Sequence, residues 1–216
     1  MLRQDSTNHC ANPTLLSMGT ARTSPLHCAG SSSCWPRAIL MLPVAWWTLT
    51  LTTGVSSYCF LDLVNLAFHE AGHLIFSFAG STLQYLGGTL TQILVPVLLA
   101  GNFLLREKQP FAAAVCSWWA GENFINISVY MADARALALP LVGGGDHDWN
   151  ELFHRFGLLG EPSVRTVSAA THALGVTVML VSLAWCIYFV LPAPARGRVH
   201  ESLASRWPWM ETLLAK

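Results

Sequence analysis

His69-Glu70-Ala71-Gly72-His73 forms an HExxH motif. Residues four apart share one face of a helix, so the imidazoles of His69 and His73 can grip one zinc ion, with Glu70 beside it as a general base. The setting is unusual for this chemistry: Asp62 and Glu70 are the only Asp, Glu, Lys or Arg residues between Arg37 and Arg106. Ionisable groups at membrane depth are costly, so they point to function more than to packing. The competing structural reading is a pair of histidines satisfied by neighbouring helices.

Two polar stripes extend the motif. Asp62, Asn65, His69, His73 and Ser77 recur at steps of three and four, as do Glu122, Asn126, Tyr130 and Asp133 further along. Each set falls on one face of an otherwise apolar helix. The spacing therefore predicts that the two helices face each other and that a carboxylate of the second completes the metal site. Asn65, one turn before His69, is placed to hold the imidazole's other nitrogen. Asp62 reads equally well as a residue at the helix end, and Gln92 is a candidate polar contact.

A third source of ligands is Gly143-Gly144-Gly145-Asp146-His147-Asp148-Trp149. Folded back over the metal, it could supply His147 or Asp148 as ligand or proton relay. Alternatively it is a solvated loop in which Asp148 caps a short helix over residues 150–159.

Of the 216 residues 53% are hydrophobic and only 11% charged, and the mean hydropathy is +0.44. Soluble domains carry about a quarter charged residues, so the balance is that of a polytopic membrane protein. A formal net charge of zero offers no electrostatic footprint for nucleic acid. The six cysteines have no paired metal spacing and predict no disulfide framework.

These features predict an all-α membrane bundle of about five spanning helices. Residues 1–36 read as a disordered leader, which a start at Met18 or Met41 would shorten or remove; residues 37–195 form the integral membrane domain, and 196–216 a polar tail. Spans are expected at 38–56, 58–78, 89–105 (spanning or re-entrant), 110–134 and 166–195. The glycines from Gly80 to Gly88 are expected to form a turn or short β-like excursion. Arg106 and Lys108, then Arg196, Arg198, Arg206 and Lys216, place both segments, and so the C-terminus, in the cytoplasm. The protein is expected in the cell (inner) membrane as a multi-pass protein whose oligomeric state is open.

Over residues 58–134 the chain resembles the site-2 protease family of intramembrane zinc metalloproteases, as a divergent member. The resemblance rests on the HExxH helix, Gly80 with Gly87-Gly88, and the later helix bearing Asn126 and Asp133; Ala134 stands where the family has Gly. It implies a zinc ion held by His69, His73 and Asp133, catalysis through Glu70, and Asn126 shaping the site or touching the substrate backbone. Peptide bonds of membrane-embedded proteins would be the substrates. A membrane zinc hydrolase for a lipid amide or ester, and an inactive scaffold of the same fold, are the alternatives.

Overall fold

Apolar segments bury or shield their backbone polar groups most simply by coiling into helices. The computed structural model describes residues 35–142 and 145–207, and within them the regular structure is helical throughout. The helices are α1 (Trp35–Thr52), α2 (Leu61–Phe76), α3 (Ser81–Leu105), α4 (Pro110–Asp133), α5 (Asp148–Arg155), α6 (Glu161–Val190) and α7 (Ala193–Arg206). The leader lies almost wholly outside the described residues, as do residues 208–216, Trp209 among them.

α4 is the centre of the bundle. It packs on α6 along one side and α3 along the other, while α2 lies against α3 and α1 against α6. Gly121 meets Met179 and Ser128 meets His172, so α4 and α6 run antiparallel. A four-residue connection between Leu105 and Pro110 makes α3 and α4 antiparallel as well. The basic residues after α3 and after α6 thus share one end of the bundle. The short α5 lies across the other end, over a core of Ile127, Met131, Trp149, Leu152, Phe153 and Val164.

α3 and α6 are long and apolar enough to cross a membrane. The motif helix is not: its 16 residues rise about 24 Å, against a hydrocarbon core of about 30 Å. Large apolar side chains face outward around the bundle, among them Leu42, Trp46, Leu74, Phe78, Leu98 and Val181, each more than half exposed.

One local expectation is corrected and two are sharpened. Gly87 and Gly88 lie inside α3, which runs unbroken from Ser81 through Pro96 to Leu105; the turn is confined to Gly80, whose φ of 90° suits a residue without Cβ. Residues 89–105 are accordingly the greater part of one long helix, not a separate re-entrant segment. Most of the described tail is helical, as α7.

Glycine also governs the tightest crossing. A Cβ on Gly121 would lie 2.7 Å from Met179 N and 2.8 Å from Met179 Cγ, whereas one on Gly101 would meet nothing within 4 Å. Overpacking costs about 1–3 kcal/mol, while Gly to Ala in an open helix position gains up to about 1 kcal/mol. Gly121→Ala should therefore lower the thermal midpoint of the detergent-solubilised protein, and Gly101→Ala should hold or raise it. Equal midpoints would mean that α4 and α6 do not cross at Gly121.

Candidate metal centre

The first turn of α5 and the middle of α2 meet at the loop end of the bundle. His69 Nε2 lies 2.9 Å from Asp148 Oδ2 and His73 Nε2 lies 3.3 Å from the same oxygen. These three side chains form a group able to hold a metal ion, their ligand atoms all within 4.8 Å of one another. Ligand atoms about 2.0–2.1 Å from a tetrahedral metal stand about 3.3 Å apart, so the spacing already approaches that of a filled site.

Hydrogen bonds on the far side of each ring settle which nitrogens face inward. His73 Nδ1 lies 2.8 Å from the backbone oxygen of Gln84, which can only accept, so Nδ1 carries the proton. His69 Nδ1 lies 3.1 Å from Gln92 Oε1. The amide orientation follows from its neighbours: Gln92 Nε2 donates to Asn126 Oδ1 at 2.8 Å, and Asn126 Nδ2 donates to Asp62 Oδ1 at 2.6 Å. A carboxylate at the end of the chain fixes the direction of every link, and His69 Nδ1 donates to Gln92. Without an ion, a proton between an Nε2 and the carboxylate accounts for the short distances. With that proton displaced, two Nε2 lone pairs and a carboxylate oxygen face one point, which is a ligand set for a cation.

α3 forms the wall behind His69. A Cβ on Gly88 would sit 2.6 Å from His69 Nε2, and one on Gly87 would sit 2.7 Å from Gly72 O. The small residues at 72, 87 and 88 let the two helices close and leave the ring its space. Spacing alone suggested a loop here; inside a helix the same glycines serve packing.

Asp148 is 5% exposed. Burial acts to raise its pKa, but the imidazoles of His69 and His73 outweigh burial and hold the carboxyl below its ordinary value. Asp133, the third ligand implied by the resemblance, is not at the pair. Its two oxygens accept from Ala138 N and Leu139 N at 3.0 Å each, pinning the chain around Leu137, which has a φ of 51°. His147 stands 3.4 Å from Asp133 and caps α5, its side chain accepting from Asn150 N at 3.2 Å. The cap of α5 is therefore His147 and not Asp148. Burial pushes the His147 imidazole below its ordinary value, against the pull of Asp133.

The polar stripes do meet, though through long side chains and not through the metal. Asn65 donates to Glu122 Oε2 at 2.8 Å and accepts from Trp119 Nε1 at 2.7 Å. It is thus unavailable to His69, whose ring turns toward α3 and Gln92. Ser77 bonds only to the oxygen of Leu74 at the helix end. Cys59, Asp62 and Glu122 form a second group of metal-ligand types. Their carboxylates already accept from Cys59 N, Asn126, Asn65 and Cys59 Sγ, a closed network with its donors in place.

A cavity of about 600 Å³ opens on the pair. Glu70 and Tyr130 line it together with His69, His73 and Asp148, and Leu139 to Val142 border it from the loop. The chain matches no family model, no curated protein and no solved structure.

Asp148→Ala should abolish stoichiometric zinc binding measured by mass spectrometry of the purified protein. Gln92→Ala, which removes an outer partner, should weaken affinity about 10–100-fold. Asp133→Ala should keep zinc and lose thermal stability. Loss of zinc from Asp133→Ala with retention in Asp148→Ala would reverse the assignment.

Proposed function

We propose that the protein is a zinc-dependent intramembrane hydrolase that cuts peptide bonds of membrane-embedded substrates. The observation that carries this reading is the convergence of His69 Nε2, His73 Nε2 and Asp148 Oδ2 beside Glu70 in one cavity. Two imidazoles and a carboxylate form the ligand set of hydrolytic zinc sites, which keep a further position open. When bound, zinc would lower the pKa of a water toward neutrality and polarise the substrate carbonyl.

The chain's own residues have separate tasks. His69, His73 and Asp148 would hold the ion. Gln92 and the Gln84 carbonyl keep each Nδ1 protonated, so that each Nε2 remains a ligand. Glu70 takes a proton from the attacking water on its carboxylate and returns it to the leaving nitrogen. The resemblance to site-2 proteases supports the peptide substrate.

The apolar length of α3 and α6 and the outward-facing apolar side chains support insertion in a bilayer as a multi-pass protein. Arg106, Lys108, Arg196, Arg198 and Arg206 share one end of the bundle; the positive-inside rule makes that end, and the C-terminus, cytoplasmic. The metal pair lies toward the opposite end, where α5 closes the bundle.

One observation supports the lipid alternative. The cavity wall of Leu63, Leu66, Leu139, Leu141 and Val142 suits an acyl chain as well as an unwound peptide.

Glu70→Gln should reduce hydrolysis about 10²–10⁴-fold with zinc still near one per chain. The assay pairs a fluorogenic transmembrane peptide with an N-acyl lipid, and turnover of the lipid alone would select the second reading. Purified protein that binds no zinc would defeat both.

A further inference from the structure

We infer that the Tyr130 hydroxyl supplies the hydrogen bond that stabilises the oxyanion formed when water adds to the scissile carbonyl. This rests on the hydrolase reading and adds to it a catalytic residue on a third helix. As the water oxygen bonds to the carbonyl carbon, Glu70 takes one of its protons and the carbonyl π pair moves onto oxygen. Collapse restores the C=O bond, breaks the C–N bond and sends the proton on Glu70 to the amine. Through both steps Tyr130 donates a hydrogen bond to that oxygen and keeps its own proton. In a water-poor site a donor aimed at the developing charge is among the largest contributions to rate.

Tyr130 is built for this position. Its ring lies 4.2 Å from that of His147 and 6.0 Å from that of His69, and it faces the cavity that holds Glu70. Its oxygen accepts from Asp148 N at 3.2 Å, so the backbone of the residue that meets both histidines also fixes the phenol. One lone pair is thereby used, and the hydroxyl proton has no acceptor among the described residues. With that N–H accepted, the hydroxyl can donate toward the cavity that Tyr130 lines.

Other donors lining the cavity are committed or remote. Both ends of the Gln92 and Asn126 amides are bonded within the protein. Tyr85 donates to Asp146 at 2.8 Å. Tyr58 and Ser57 precede Asp62, which is seven residues before His69 and so about 10 Å away along α2. Among the described side chains, the Gln84 amide is the remaining rival near His73.

The test compares full-length wild type, Tyr130→Phe and Gln84→Leu, each zinc-loaded in detergent, on a fluorogenic transmembrane peptide and a phosphinic analogue of it. Tyr130→Phe should lower kcat about 10²–10³-fold, move KM less than about threefold, and weaken the phosphinic analogue in parallel. Its zinc dissociation constant, from chelator competition, should be unchanged. Full kcat in Tyr130→Phe, or a comparable loss in Gln84→Leu alone, overturns the assignment. Loss of zinc with loss of rate also overturns it, since Tyr130 would then act through Asp148. Wild type that neither binds zinc nor turns over peptide or lipid removes the hydrolase reading itself.

Discussion

Two imidazole nitrogens and a carboxylate oxygen converge, 2.9 and 3.3 Å apart, where a cavity opens into a helix bundle. Without an ion a proton on an inner nitrogen can join ring and carboxylate; a divalent cation that displaces it meets three ligand atoms already gathered. The surrounding protein maintains this geometry. The ring protons are drawn to the outer nitrogens by Gln92 and the Gln84 carbonyl, and a row of glycines lets α3 press against the back of His69. An arrangement held in this way makes physical sense as a cation site, and the rest of the fold follows from supporting it.

The support runs through three helices. Asp62 orients Asn126, Asn126 orients Gln92, and Gln92 orients His69, so a carboxylate on α2 sets the tautomer of a ring on the same helix by a detour through α4 and α3. Asn65, Glu122 and Trp119 form a parallel link between α2 and α4. Buried polar networks cost free energy when incomplete and confer a unique geometry when satisfied. Here the only large contacts of α2 are with α3, and these hydrogen bonds hold its register against the centre of the bundle.

The legible part of this site was what a single helix can encode. The histidine pair, Glu70 and the two polar stripes appear at helical spacing, and the structure places the stripes within hydrogen-bonding reach. The all-helical class was legible from composition; the number of membrane crossings is a separate matter, for which α3 and α6 have the required length and apolarity. Long-range partners were not legible. Nothing in spacing distinguishes a carboxylate that meets the histidines, Asp148, from one that ties down a turn, Asp133, because the difference lies in how residues 134–147 fold back. Asn65 shares a helix face with His69, yet the ring rotates toward α3, where Gln92 waits from a position that showed only a polar residue in an apolar run. Gly87 and Gly88 illustrate the ambiguity of glycine: the missing Cβ that frees a turn also permits close helix approach.

The claim on which all of this depends is the identity of the ligands around the ion. X-ray absorption spectroscopy on the zinc-loaded wild-type protein reads that shell directly. The account predicts imidazole scattering from two histidines and oxygen neighbours at about 2.0–2.2 Å, with no sulfur. A sulfur neighbour at about 2.3 Å, placing the ion with Cys59, Asp62 and Glu122, or a shell of oxygen without imidazole, would contradict it.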